Sequence, residues 1–180
     1  MQERFDLVDK NGNPLGKSKP RSEVHRDGDW HKAVNVWIIN SKNEVLLQKR
    51  SAEKESYPNF WDLSCAGHVD AGEMPKETAV RELQEELGIT ATPDQLEYIF
   101  AVSEEHFLNQ GTYIDREIRE IFLLRLDISD FQLQEEEVAE VKWVALDDFE
   151  KMTQQMPPDL VPHDKEYQQA FDLLRKKLNS

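Results

Sequence analysis

The stretch "GHVDAGEMPKETAVRELQEELGI", from Gly67 to Ile89, joins an acidic loop to a segment with helical periodicity. Four apolar side chains of this segment fall on one face of a helix: Ala79, Val80, Leu83 and Leu87. Pro75 suits the first turn, where its missing N–H costs nothing, and Gly88 suits the C-terminal end. The pattern therefore predicts a helix from Pro75 to Leu87 whose apolar face packs on the sheet.

Three glutamates share a neighbouring face of this helix, because spacings of three and four residues bring side chains together. They are Glu82, Glu85 and Glu86, and Glu86 lies nearest the apolar boundary, so we expect it to be partly buried. Crowded, buried carboxylates either take up protons or bind a cation, and Mg²⁺ and Mn²⁺ prefer oxygen ligands. The alternative is an amphipathic helix with a solvated acidic face, which the three glutamates by themselves would favour.

The whole segment fits the pattern G-x5-E-x7-R-E-U-x-E-E-x-G-U, where U is an aliphatic residue. Every fixed position matches: Gly67, Glu73, Arg81, Glu82, Leu83, Glu85, Glu86, Gly88 and Ile89. From average residue usage, a chance match anywhere in the chain is on the order of 10⁻⁷. The segment resembles the signature of the Nudix family, whose members mostly hydrolyse a diphosphate linked to some other moiety, X.

This resemblance implies an α/β/α sandwich with a mixed β-sheet, and a divalent metal, Mg²⁺ or Mn²⁺. The three glutamates would be the metal ligands, and Gly67 would lend its carbonyl. Arg81 could orient Glu73 or another glutamate. Bound metals would neutralise the phosphates and activate a water, which are the two requirements for breaking a P–O–P bond.

A narrower resemblance covers the chain from about Leu7 to about Leu146. The segments "LVDKNGNPLG", "HRDGDWHKAVNVWIINSKNEVLLQKRSAEKESYPNFWDLSCAGH" and "DREIREIFLLR" are similar to type 1 isopentenyl-diphosphate isomerases and their hydrolase-like relatives. In that family histidines and acidic residues bind a metal, and the matching positions here are His25, His31, His68, Asp115 and Glu117. Imidazoles and carboxylates together suit Mn²⁺, Zn²⁺ or Mg²⁺.

Taken singly, these positions have simpler interpretations. His25 would be a solvated loop residue, and Asp115 and Glu117 would be ordinary charges on a strand, although their spacing of two places them on the same side. The joint match favours a metal site. His106 and His163 match no position of the family and are interpreted as structural.

The same family binds its diphosphate with basic residues, which match Arg21, Arg50 and Lys54 here. Arginine suits bidentate phosphate contacts and lysine supplies a point charge. Solvated loop charge is the alternative, and it is the better interpretation of Lys54 alone.

Three departures favour hydrolysis over isomerisation. The isomerases carry a catalytic cysteine immediately before the "GH" step, where this chain has Ala66. Its only cysteine, Cys65, is shifted by one residue and should face the other side of the strand as a small buried hydrophobe. The isomerases also have a carbocation-stabilising tryptophan in the C-terminal part, which is missing from "QMPPDLVPHDKEY", and they usually have a degraded Nudix box.

The sequence thus predicts a metal-dependent Nudix hydrolase acting on a small-molecule diphosphate. Either Glu85 or Glu117 would be the general base, and the sequence leaves that choice open. The alternatives are an isopentenyl-diphosphate isomerase and a non-catalytic module that senses a nucleotide or diphosphate. Substrate choice would come from loops such as "EEHFLNQGTYIDRE".

A single domain is predicted over 1–180, with an N-terminal hairpin and loop extension at 1–30, a Nudix core at 31–150 and a C-terminal loop and helix at 151–180. Asn11-Gly12 indicates a hairpin turn, "KSKPRSEVHRDGDW" a polar connection and "SAEKESYPNFWD" a loop. Strands are expected at "AVNVWII", "EVLLQKR" and "LSCAG", and at about 96–104, 117–126 and 140–145. Helices are expected around "LDDFEKM" and over "DKEYQQAFDLLRKKL", which indicates a mixed sheet covered by helices.

Composition excludes several classes of protein. The net charge of −14 argues against a nucleic-acid polymer as partner, and no apolar run is long enough to span a membrane. The N-terminus has no signal-peptide pattern, and a single cysteine rules out an internal disulfide. These features predict a cytoplasmic protein whose oligomeric state is open, with a homodimer as one alternative.

Overall fold

The computed structural model describes residues 3–155 and 157–178, so the predicted domain limits at 1 and 180 lie outside the described residues. Nine strands are present in these ranges: β1 Arg4–Val8, β2 Pro14–Pro20, β3 Trp30–Ile39, β4 Glu44–Arg50, β5 Trp61–Asp62, β6 Cys65–His68, β7 Glu97–Leu108, β8 Tyr113–Arg125 and β9 Val138–Ala145. Four α-helices accompany them: α1 Arg21–Asp27, α2 Pro75–Leu87, α3 Leu146–Gln155 and α4 Asp164–Leu178.

Strand β3 organises the sheet. It pairs in parallel with β8 along its whole length, from Trp30 opposite Arg116 to Ile39 opposite Arg125. Antiparallel partners are β6 along its middle, β1 at its start and β4 at its end. Strand β7 pairs with the outer side of β8, and β9 pairs with β4, so the sheet is mixed. The predicted mixed α/β architecture is confirmed.

Alternation along β3 assigns its two faces to different helices, because successive strand side chains point to opposite sides. Val34, Val36 and Ile38 belong to the core that α2 covers with Ala79, Leu83 and Leu87. Trp37 and Ile39 belong to a second core, which α3 and α4 cover with Phe149, Tyr167, Phe171 and Leu174. Helices therefore cover both faces of the sheet.

The helix over Pro75–Leu87 lies where the sequence predicts it, and Gly88 ends it with a left-handed φ of 70°. The hairpin around Asn11-Gly12, the strand at "EVLLQKR" and both C-terminal helices are also present. The strands predicted at 96–104, 117–126 and 140–145 correspond to β7, β8 and β9.

Three local expectations are wrong. The polar connection "KSKPRSEVHRDGDW" instead forms most of β2, which pairs with β1, and then α1. Trp61 and Asp62, expected in a loop, pair with β4 as strand β5. Most of "EEHFLNQGTYIDRE" is an extension of the β7–β8 hairpin, with only residues 109–112 between the strands. In each strand segment, hydrogen bonds to a neighbouring strand decide the structure.

No helix among the described residues combines the length and the apolar character needed to cross a membrane. The division at residues 30 and 150 stays a prediction.

Candidate active site and metal centre

Arg81 holds the acidic residues of α2 and of its preceding loop together. Its Nε and Nη2 donate to the two carboxylate oxygens of Glu73, at 3.1 and 3.0 Å. Its Nη1 donates to Glu82 at 2.9 Å and to Glu85 at 3.0 Å. The guanidinium thus fixes the direction of three carboxylates, which is the orienting role expected from the sequence.

The three glutamates of α2 that match the motif, Glu82, Glu85 and Glu86, are called the box glutamates, and they differ strongly in burial. The side chain of Glu85 is 52% exposed, that of Glu82 is 15% exposed, and Glu86 is buried, as predicted. Burial, with the nearby charge of Glu86, raises the pKa of Glu82 to about 8, and burial also raises the pKa of Glu86. A bound cation would keep both carboxylates ionised.

Gly67 brings the backbone of β6 against α2. A Cβ built on Gly67 would collide with the Glu82 carboxylate and its Cγ. Any side chain here would therefore displace Glu82. The glycine of the motif is explained by this close approach.

Three buried or half-buried imidazoles meet on the other side of Gly67. His25 lies in the last turn of α1, His31 on β3 and His68 at the end of β6, and ring centroids of these histidines lie 5.0–5.2 Å apart. Phe5 from β1 stacks on His31 and His68, at centroid distances of 5.1 and 4.8 Å. Tyr113 stacks on His25 at 4.3 Å. These ring contacts fix the direction of the imidazoles.

Hydrogen bonds to backbone carbonyls determine the tautomers of two of these rings. His25 Nδ1 lies 3.0 Å from the Arg21 carbonyl, and His31 Nδ1 lies 3.1 Å from the Asp29 carbonyl. A carbonyl only accepts, so each Nδ1 carries a proton, and in the neutral form of either ring the lone pair is on Nε2. Burial and the neighbouring His68 lower the pKa of His31 to about 4, which keeps this ring neutral at pH 7.

The polar atoms of this cluster converge on one point: Nε2 of His25 and of His31 lie 3.4 and 3.5 Å from Oδ1 of Asp115. The Nε2 atoms of His25, His31 and His68 and Oδ1 of Asp115 are buried, and none of them has a hydrogen-bond partner among the described residues. One ligand atom from each of the four residues lies within 4.8 Å of the others. Buried polar atoms are normally satisfied, so the donor set fits a divalent cation. We name these four residues the histidine cluster.

Glu117 lies beside the histidine cluster on β8. Its Oε1 is 3.2 Å from His68 Nε2, and its Oε2 accepts from Nε of Arg119 at 3.1 Å and also from Nη2. Burial alone would raise the pKa of Glu117, but the Arg119 guanidinium holds it well below the usual range. Glu117 is therefore a carboxylate, able to act as a further metal ligand.

A cavity of about 490 Å³ connects these groups. The three box glutamates, Gly67, His68, Asp115 and Glu117 line it, and so do the three basic residues matched to diphosphate binding. His25 and His31 lie buried behind this surface. Each basic residue is paired with a carboxylate: Arg21 with Glu3 and Glu55, Arg50 with Asp62, and Lys54 with Glu137.

His106 and His163, interpreted as structural from the sequence, also line the cavity. His163 Nε2 lies 2.7 Å from Asp62 Oδ1. Its Nδ1 lies 2.8 Å from Nη1 of Arg119 and 3.7 Å from Glu104, and the Arg119 charge opposes protonation of the ring. Burial opposes the charged ring, but the pairing with Asp62 raises the pKa of His163 to about 9. These partners are distant in sequence, and no local signal of the chain identifies them.

The residues around the "GH" step lie as expected. Cys65 is completely buried in the core under α2, and burial raises its pKa well above the usual value. Ala66 lines the cavity instead. The position next to Gly67 that faces the site therefore has no thiol.

The sequence of this chain is similar to those of known proteins. The family model described as NUDIX domain matches residues 29–170. Nudix hydrolase 3 of Arabidopsis thaliana is 41% identical over 183 residues, which cover 98% of this chain and 24% of that protein. The chain thus spans about a quarter of the length of that relative.

An isopentenyl-diphosphate isomerase and a solved structure are also similar to this chain. Isopentenyl-diphosphate Delta-isomerase 2 of Photorhabdus laumondii subsp. laumondii is 33% identical over 147 residues, which cover 81% of this chain and 79% of that protein. The crystal structure of DR0079 from Deinococcus radiodurans has a TM-score of 0.69 at 21% identity, and the match covers 97% of this chain and 98% of that one.

These matches confirm the predicted family and agree with the isomerase-like branch. The relatives named as Nudix hydrolases support the prediction of an enzyme. Because the NUDIX domain covers most of the sequence, the chain belongs to the Nudix family.

Proposed function

We propose that this chain is a metal-dependent hydrolase that cleaves the diphosphate linkage of a nucleoside diphosphate or another organic diphosphate. The supporting observation is one cavity that is lined by the box carboxylates, by His68 and Asp115 of the histidine cluster, and by three basic side chains. An acidic protein can bind an acidic ligand in such a cavity, because metal ions bridge the two.

The residues divide into two metal-holding groups. Glu82, Glu85 and Glu86, with the Gly67 carbonyl, suit Mg²⁺ or Mn²⁺, whose preferred ligands are oxygens. The histidine cluster with Glu117 offers three imidazole nitrogens as well, which suits Mn²⁺ better than Mg²⁺. Bound divalent ions would neutralise phosphate charge and lower the pKa of a water.

The protein itself would position the substrate and take up the proton. Arg21, Arg50 and Lys54 would hold the diphosphate, exchanging their carboxylate partners for phosphate oxygens. Of the two candidates for general base, Glu85 is favoured. Its carboxylate is half exposed at the cavity wall and accepts one N–H of Arg81. Glu117 is buried, and its Oε2 is engaged by two N–H groups of Arg119.

Isomerisation is less compatible with this cavity. In the isomerases a cysteine at the "GH" step donates the proton to the alkene, whereas here Cys65 is buried in the core and Ala66 faces the site. The C-terminal segment brings His163 to the cavity, where Asp62 favours its cationic form. A carbocation would be repelled by this imidazolium, whereas a tryptophan ring would attract it.

A screen for diphosphate cleavage, in which the products are separated by chromatography, tests the proposal. The protein, with Mg²⁺ or Mn²⁺, is offered nucleoside, dinucleotide, sugar and isoprenoid diphosphates. Turnover of one class should be abolished by chelation of the metal. Glu86→Gln removes a metal ligand and should therefore reduce kcat by more than about 100-fold, because losing a residue that merely orients a ligand already costs about 10- to 100-fold. Glu77→Gln, on the same helix but exposed and outside the cavity lining, should keep full activity.

Two results would contradict hydrolysis. Conversion of isopentenyl diphosphate to its dimethylallyl isomer without phosphate release would establish the isomerase alternative. Tight binding of one diphosphate with no turnover under any metal would establish the sensor. The cytoplasmic location and the oligomeric state, including a homodimer, stay predictions.

A further inference from the structure

Arg119 is a buried guanidinium two residues beyond Glu117 on β8. Because strand side chains alternate, both point to the same face of the sheet. Both lie on the strand that pairs in parallel with β3, where Glu117 is opposite His31 and Arg119 is opposite Ala33. Arg119 is 5% exposed and belongs neither to the Nudix box nor to the histidine cluster.

The contacts between Arg119 and Glu117 are one-sided. Nε and Nη2 of Arg119 both donate to Oε2 of Glu117, and this leaves Oε1 directed at His68, 3.2 Å away. The carboxylate cannot rotate without breaking two charge-assisted hydrogen bonds. Its free oxygen is thereby held towards the histidine cluster.

Arg119 is in turn fixed from its other side. Its Nη1 donates to Glu104 Oε2 at 2.9 Å and lies 3.6 Å from Oε2 of Glu166, on α4. Glu166 is fully buried and accepts from Asn35 Nδ2 and Trp37 Nε1, each at 2.7 Å. The C-terminal helix is thus connected through Arg119 to the edge of the candidate metal centre.

We propose that Arg119 is a positioning residue that presents the free oxygen of Glu117 to a divalent cation in the histidine cluster. This inference rests on the proposed function, because it assumes that the cluster binds a metal. Outer partners that orient a metal ligand contribute to affinity, and their loss typically weakens binding by about 10- to 100-fold.

The shape of the side chain matters as much as its charge. Arginine presents several N–H groups in a rigid plane, so it reaches Glu117 and Glu104 at the same time. A lysine ammonium is a single point and cannot reproduce the two contacts to one oxygen of Glu117. Arg119→Lys therefore separates orientation from charge compensation.

The test uses Co²⁺ as a spectroscopic probe, with affinity read from the visible absorption of the imidazole-bound ion. The site is identified by the loss of that signal in His31→Ala. Arg119→Lys should weaken Co²⁺ binding at this site by about 10- to 100-fold. Arg125→Lys is the matched control, because it lies at the exposed end of the same strand and should bind Co²⁺ like the wild type.

A second variant covers the case in which Arg119→Lys does not fold. In Arg119→Gln/Glu104→Gln one charge of each sign is removed together. Glu117 still loses the two N–H donors to its Oε2, so the same weakening is expected. Wild-type Co²⁺ affinity in a folded variant of either kind would overturn the positioning role while leaving the metal site intact. Absence of the signal from the wild type would instead contradict the proposed metal site, and with it this inference.

Discussion

At the scale of single residues, Gly67 shows how the backbone shapes the site. The collision that a methyl group would make is with the side-chain end of Glu82 and not with backbone. The helix and strand can therefore stay in place while the carboxylate moves. Gly67→Ala should change the site more than it changes the fold.

We expect Gly67→Ala to lower the kcat/KM for the substrate found in the screen by at least about tenfold, since misplaced catalytic groups are costly. The melting temperature should fall only slightly. Gly72→Ala is the matched comparison, because its Cβ would enter open space while its φ of 84° is strained for alanine, at a cost of roughly 1 kcal/mol or more. That variant should lose stability and keep its activity. If Gly67→Ala lost stability but kept its activity, the role assigned to Gly67 would be contradicted.

Single residues also show which parts of the site a sequence can reveal. Glu82, Glu85 and Glu86 lie on one helix, so their spacing already places them together. His163 meets Asp62 across a separation of 101 residues, and Arg119 lies 44 residues from His163. Such contacts depend on strand pairing over long distances, and neither spacing nor composition encodes them.

At the scale of elements, local signals predict the helices better than they predict edge strands. The bounds of α2 are correct because Pro75 and Gly88 act within one turn of the helix. Strand β2 is short of apolar residues and forms because β1 offers it hydrogen bonds. Its polar sequence resembles a loop for that reason, and the error in assigning residues 17–20 follows from it. The error over helix α1 is separate, because no side-chain cap marks the start of that short helix.

The segment from Glu53 to Tyr57 lines the cavity, and ion pairs connect it to neighbouring elements. Lys54 pairs with Glu137, and Glu55 lies 3.6 Å from Arg21. If Lys54 binds phosphate, Glu137 competes with the substrate for it. Glu137→Gln should then lower KM by about two- to fivefold, as expected for release of a partly exposed ion pair of up to about 1 kcal/mol.

Lys54→Gln should raise KM, and Glu140→Gln, exposed on β9, should leave it unchanged. Steady-state kinetics with the substrate from the screen would measure all three. An unchanged KM in both Glu137→Gln and Lys54→Gln would exclude Lys54 from diphosphate binding.

At the scale of the whole molecule, one buried ion cluster joins parts of the fold that the sequence separates widely. His163 precedes α4, Asp62 belongs to β5, Glu104 to β7 and Arg119 to β8. The pairing of His163 with Asp62 therefore forms only when the C-terminal segment docks on the sheet. Global stability should depend on the charge of this histidine.

Measuring the free energy of unfolding as a function of pH tests whether stability depends on the charge of His163. The direction of the expected change follows from the raised pKa of this residue. His163 has a pKa of about 9 in the folded protein, above the usual value of 6.5, so the folded state binds more protons between these values. The stabilisation is complete below pH 6.5 and is lost as the pH rises through 9, with a slope of at most about 1.4 kcal/mol per pH unit. Chemical unfolding from pH 6 to 10 should show a steeper loss of free energy in the wild type than in His163→Gln, whose side chain does not titrate. If the free energies of unfolding of the two proteins fell with pH at the same rate, His163 would not be cationic in the folded state. The electrostatic argument against a carbocation in this cavity would then be wrong.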